Sequence, residues 1–548
     1  MNTPDPALAL IDRFWDDLLR LQPLRGTYVG DHRHDGALPD PSPSGRADVE
    51  SVYTSAQREL ASIDRSGVTP SAQPTLEILE AICEQGLRSI RARLDLWEVA
   101  SHMEGPATTL AEVASIQQAD TPEALERYEA RLHAFPAYLR AWEEVGREGI
   151  AAGVVAPRVV VERSVAMLDR TLRIGPADSP AMAPVNGNPG ARERVERAIR
   201  EAVDPAHARF RDFLRETYLP AAPDTSGLVG SPDAQDRYAT AIAEWTSLDL
   251  APDEVHALGV DRLRSIDAER ARIATGLGYP DAVAAVADRT ARGENVVTSE
   301  AELLALVEDQ VARSWEAAPS FFGRVPAANC QVRPVEAFRA AETPFAFYNP
   351  PTEDGSRPGI YYVNAFEVEH RPKHHLAGVT FHEANPGHHF QIALEMQMPD
   401  RHPLRKFGGD LAGGAFAEGW GLYAERLADE MGLYADEWER LGLLENQAHR
   451  AARLVVDTGL HHFGWTRERA IAQMIASGLH ETDAAIEVDR YIAMPAQALC
   501  YMIGMIEIER AREIAMSSPG ASLQAFHDEV LALGQVPLPA FRRAFGSG

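Results

Sequence analysis

The sequence predicts a mostly α-helical fold with one small β-sheet. Three observations carry this. Apolar residues recur at helical spacing through the first 220 residues and again from 376 to the end. Strand-like segments are few and confined to 327–364. No repeat of fixed period runs through the chain, so it is not a solenoid.

The elements follow in order. Leu8, Ile11, Trp15, Leu18 and Leu19 mark a first helix, which Pro23 ends. Asp31 to Asp40 is polar, carries His32 and His34, and reads as a solvated loop. Segments near 75–100, 122–149, 158–173 and 190–217 have helical periodicity. The Pro/Gly/Ser-rich stretches 174–190 and 220–235 interrupt them as surface loops or a seam. The stretch Thr246 to Glu254 reads as a helix start, capped by Ser or Asp with acids in the first turn. Cys330 to Val335 and Gly359 to Asn364 have β-branched and aromatic content bounded by Pro and Gly, and read as strands. This divides the chain into an N-terminal helical region, 1–230, and a region carrying the chemistry, 231–548, built as one continuous unit.

Bulk properties exclude several classes. With 548 residues, 45% apolar and 24% charged, the chain can bury a large core as an ordinary globular protein. It has no run of about 18 apolar residues. A net charge of −28 repels phosphate backbones and anionic lipid, so neither nucleic acid nor membrane is an expected partner. Cys83, Cys330 and Cys500 are too few and too scattered for a disulfide framework or a thiolate metal site. The N-terminus shows no basic patch followed by an apolar segment, so the expected location is cytoplasmic.

The chemistry concentrates in one place. Ten of the 18 histidines lie between His370 and His462. Within them, His382-Glu383 is followed by Pro386-Gly387 and then His388-His389. In an unbroken helix two histidines four apart face one metal and the glutamate between them acts as base. Here His388 stands six positions on and would point elsewhere. Pro386-Gly387 supplies the break that can bring it back over His382. His389 is the alternative ligand, and His388 is favoured because it directly follows the glycine. Glu418, in Glu418-Gly-Trp-Gly-Leu-Tyr-Ala-Glu425, is the candidate third ligand. Three protein ligands leave the fourth zinc position for water, and Glu383 can take that water's proton. Glu425 is either a partner that orients a ligand histidine or a surface acid.

The chain resembles domain-of-unknown-function family 885. The resemblance rests on Gly359 to Asn364, His382 to His389, Glu418 to Glu425, Val456 to His461 and Pro495 to Gly504, and extends over nearly the whole length. Pro495-Ala-Gln stands where Pro-Gly-Gln is expected. The Glu418 helix is also similar to the Glu-Gly-Phe-Ala helix of gluzincin-type zinc aminopeptidases, whose first Glu is a ligand. The resemblance implies a large, mostly helical zinc-peptidase-like fold with a deep cleft, and the strand-like segments before His382 place the small sheet beside the active site.

Further candidates are weaker. A tetrahedral intermediate needs a donor for its oxyanion, and Tyr501 or His461, the latter held by Asp457, can supply it. Arg453 and Arg490 can clamp a substrate carboxylate. The Tyr361-Tyr362 strand can take an extended substrate as an added strand. His374 and His375 are either outer partners of the site or exposed.

The reading is a metallopeptidase with one Zn²⁺ per chain, acting on a short peptide or peptide-like amide. Hydrolysis of a non-peptide amide or ester, and peptide binding without cleavage, are the alternatives. A di-iron site would need paired Glu-x-x-His motifs, which are missing. Cleavage position and oligomeric state are left open by the sequence.

Overall fold

A computed structural model describes residues 5–69, 71–335, 340, 345–351, 357–398 and 401–546. The fold is mostly helical with one three-stranded sheet. The chain forms two compact units. The first joins residues 1–244 to two late segments, 459–470 and 485–497. The second comprises 245–458, 471–484 and 498–548. The expected break at 230 therefore falls at 244, and neither unit is continuous in sequence. Such long-range returns leave no trace in local composition.

In the first unit the helical readings hold: Pro6–Leu21, Gln73–Ala92, Pro122–Ala152 and Arg158–Ile174 are helices. Thr121 caps the third through its side chain and Gly153 ends it in the left-handed conformation. The Asp31–Asp40 stretch is not a free loop. Asp35 is buried, and the wholly buried Arg131 guanidinium, 3.9 Å from it, also donates to the carbonyls of Ala37 and His34. His32 meets Asp35 at 2.8 Å. A buried ion pair with its hydrogen bonds filled pins this segment.

In the second unit the helix expected from Thr246 begins at Pro252. Its N-cap is Ala251, without a side-chain cap, and proline at the first turn does the work instead. Both expected strands form: β1 (Cys330–Pro334) and β3 (Gly359–Val363). A third, β2 (Ala346–Asn349), escaped the sequence reading because four residues flanked by prolines read as turn. The order is β1-β3-β2, with β1 parallel and β2 antiparallel to β3. Tyr361 and Val363 pack with Leu303, Val307 and Leu376, seating the sheet on the helix Glu300–Ala317 and the start of the helix Leu376–Glu383.

Candidate metal centre

The site is built on one broken helix and one intact helix. The helix Leu376–Glu383 stops at the glutamate, and a new one, His388–Met396, starts at the second histidine. The Asn385–Pro386 peptide between them is cis. Gly387 has φ −81°, so it is not there for a left-handed turn. A Cβ at that position would collide with the carbonyls of His382 and Phe381, which only glycine avoids. The indole N–H of Trp420 donates to the Pro386 carbonyl at 2.9 Å, tying this turn to the helix Ala415–Glu430.

That second helix carries Glu418, and its glycines explain how close it can come. A Cβ at Gly421 would lie 2.7 Å from the His382 ring. A Cβ at Gly419 would strike the backbone of Gly504, so the pair lets the helix Cys500–Met516 make direct contact. The Glu-Gly-Trp-Gly string is thus one candidate ligand, two close approaches and one pin.

The three candidate ligand atoms converge. His382 Nε2 and His388 Nε2 stand 3.5 and 3.6 Å from Glu418 Oε2. The two imidazoles meet nearly at right angles, 86°, with centroids 4.7 Å apart. Zinc ligand atoms at about 2.0–2.1 Å in a tetrahedron are about 3.3 Å from one another. The observed spacing is longer than an ordinary hydrogen bond and close to that of atoms around one tetrahedral cation. Among residues able to ligate, all three stand within 4.8 Å of each other.

Glu425 is no surface acid. It is fully buried and accepts the His382 Nδ1–H at 2.9 Å, while Gln447 lies 3.4 Å from its other oxygen. With Nδ1 engaged by Glu425, Nε2 is the nitrogen that faces the candidate ligand point. Burial alone would push the His382 imidazole down, but the carboxylates of Glu418 and Glu425 outweigh it and raise it to about 9. Burial would likewise raise Glu418, yet the two imidazoles hold it well below the usual carboxylate range. Two histidines and two carboxylates thus share one largely buried site, and their charges offset one another. Glu425→Gln keeps the shape and removes the charge; zinc affinity should fall about 10- to 100-fold, read by competition with a chelator.

Glu383 follows His382 directly, is partly exposed, and is not among the converging ligand atoms. Tyr501 stacks on His382 at 26° with centroids 6.4 Å apart, and the Arg453 guanidinium lies 4.3 Å over the Tyr501 ring. Both therefore belong to the site.

Other expectations are corrected. His389 is wholly buried; its Nε2–H donates to the Ala328 carbonyl at 3.0 Å and its Nδ1 accepts from the Tyr348 hydroxyl at 2.9 Å. Both ring nitrogens are used, so His389 is a packing residue. His388→Ala should abolish zinc binding, whereas His389→Ala should lower the melting temperature and keep the metal; elemental analysis and thermal melts separate the two. His461 belongs to the first unit. Its Nδ1 accepts from the Leu228 amide at 3.2 Å and its Nε2–H donates to the Tyr491 carbonyl at 2.9 Å, between Tyr238 and Trp97. It has no proton to offer an oxyanion, and Asp457 does not hold it. Arg490, also in the first unit, donates to Gln497 at 2.6 Å and to Glu487. Tyr361 and Tyr362 lie on the central strand, with Val332 and Arg333 on one side and Tyr348 and Phe347 on the other. Both edges are filled, so no substrate strand can add there.

His374 and His375 are neither outer partners nor merely exposed. Their Nε2 atoms both lie 2.8 Å from Glu445 Oε2, and Arg270 reaches Glu445 Oε1 at 3.2 Å. This second His–His–Glu group has the same composition but hydrogen-bond spacing, and an arginine already supplies its cation. It locks the helix Glu437–His461 onto the start of the Leu376 helix.

The family described as "Bacterial protein of unknown function (DUF885)" matches residues 23–545. The chain belongs to the DUF885 family. No curated protein matches the sequence. Of solved structures, one described as a putative lipoprotein from Colwellia psychrerythraea is 25% identical and covers 99% of each chain with a TM-score of 0.90. A second, described as a putative lipoprotein of unknown function from Shewanella oneidensis, is 19% identical, covers 98% of this chain and 99% of its own, and has a TM-score of 0.75. The mostly helical fold is thus shared along the whole length. Both relatives are described as lipoproteins, and this overturns the cytoplasmic location expected from the N-terminus. No single helix among the described residues of this DUF885 chain is long and apolar enough to cross a membrane.

Proposed function

We propose that this DUF885 protein is a zinc-dependent hydrolase of short peptides or peptide-like amides, similar in its site to gluzincin peptidases. The observation that carries the proposal is the spacing of His382, His388 and Glu418 at 3.5 and 3.6 Å, set beside a second group of the same composition drawn in to 2.8 Å. One cluster is spread for a metal and the other is closed by hydrogen bonds.

His382, His388 and Glu418 would hold the ion, with a fourth position for water. Bound zinc would supply a water acidic enough to lose its proton near pH 7. Glu383 accepts that proton and returns it to the leaving nitrogen. Tyr501, braced by Arg453, donates its hydroxyl hydrogen to the oxygen on which charge develops. Glu425 keeps His382 in register throughout. The nature of the two lipoprotein relatives suits action outside the cytoplasm.

The test is elemental analysis of protein purified without added metal or a polyhistidine tag, followed by a screen of mixed peptides and simple amides and esters. About one zinc per chain with peptide cleavage supports the reading. Cleavage of esters or non-peptide amides alone would move it to a metabolite hydrolase. Absence of metal even after incubation with zinc would sink it.

A further inference from the structure

We infer that Arg450 is a carboxylate-binding residue of this site, so that the preferred substrates carry a free carboxylate. The inference rests on the hydrolase reading above and adds the substrate class to it.

Position comes from helix geometry. Asn446, Arg450 and Arg453 recur at four and three residues along the helix Glu437–His461, and so form one stripe on its surface. Both ends of the stripe touch residues that adjoin the candidate metal centre. Asn446 packs against Gly378, one turn before His382 on the same helix, and donates to the His375 carbonyl at 3.4 Å. Arg453 lies over Tyr501, which stacks on His382. Arg450 stands between them, about 6 Å along the axis from Asn446 and about 4.5 Å from Arg453 at 1.5 Å per residue.

Charge makes the position informative. This chain carries 81 acidic against 53 basic residues, so an arginine finds a carboxylate easily. Neighbours do: Arg440 pairs with Asp429, Arg426 with Glu269 and Arg270 with Glu445. Among the described residues Arg450 has no carboxylate partner. Its one hydrogen bond is a long 3.5 Å contact to the Asn446 carbonyl of its own helix, and its Nε is buried without a partner. The Nε is closed off, and the two terminal nitrogens of this half-buried guanidinium have no carboxylate to meet. The planar fork matches a carboxylate bidentately. A peptide C-terminus and an acidic side chain offer the same chemistry.

The test uses zinc-loaded full-length protein and a mixed-sequence peptide set in three forms: free C-terminal acids, the same sequences amidated, and amidated sequences with one added glutamate. Consumption is followed by mass spectrometry. The free acids, the glutamate set, or both should be cut at least about tenfold faster than the plain amides, and which of the two leads identifies the carboxylate. In Arg450→Gln the preference for acids over amides should collapse through a higher KM for the acids, with zinc content retained. Arg450→Lys should restore part of it, as a point charge without the fork. Equal cleavage of all three sets by the parent protein, or a preference that survives Arg450→Gln, overturns the inference and leaves the hydrolase reading standing. Failure to cut any set overturns both.

Discussion

Glu383→Gln should retain about one zinc per chain and lose activity by about a hundred- to ten-thousandfold, the range expected when a general base is removed. The substitution is nearly isosteric and sits at the last residue of the helix Leu376–Glu383, where glutamine is tolerated as well as glutamate. None of the converging ligand atoms is touched, since these come from His382, His388 and Glu418. Only the capacity to accept and return a proton is lost. Zinc content by elemental analysis, a melting curve and turnover of a peptide found in the screen would be measured together. Full turnover by a metal-replete, folded variant would remove Glu383 from the mechanism.

His382→Ala should lose the metal and with it all activity, and should also destabilise the protein. The ring is buried between Glu418 and Glu425. Deleting it leaves two carboxylates in a low-dielectric site without their partner, a cost of about 3–5 kcal/mol for a broken buried pair. The same electrostatics set the pH dependence of metal uptake in the parent protein. Its imidazole, raised to about 9, is protonated at neutral pH while the metal is absent. A ligand must offer its lone pair, so binding expels that proton. Zinc affinity should then rise with pH by about tenfold per unit up to about pH 9 and level off above it, with about one proton released per zinc at pH 7. Calorimetry in buffers of different ionisation enthalpy measures both. An affinity flat from pH 6 to 9 would show that His382 carries no such proton.

Much of the site was legible locally. The break at Pro386-Gly387 was visible as a break, because proline and glycine act on the backbone wherever they occur. What the glycine does there was not visible: it removes a Cβ from the His382 carbonyl, a contact made only once the chain has turned back. In sequence His388 was favoured because it directly follows the glycine, with His389 left as the alternative. Only the fold shows that Tyr348 and Ala328, 41 and 61 residues away, take up both His389 nitrogens and leave His388 as the candidate. Tyr361 and Tyr362 had the composition of a strand and form one. That the strand is central, with no edge to offer, depends on β2, which is too short and too flanked by prolines to announce itself.

The division has a physical basis. By itself the sequence determined what short-range forces determine: which segments are helical, where they stop, and that histidines and acids gather near residue 382. Tertiary structure decided which of those groups meet. His374, His375 and Glu445 have the composition of a zinc site, and only the 2.8 Å spacing and Arg270 show them to be a hydrogen-bonded lock. His461 lies in the densest histidine region of the chain, and only its partners Leu228 and Tyr491 show it to be core. A lone pair's direction and a charge's neighbours depend on residues far away in sequence, and they come together only when the chain folds.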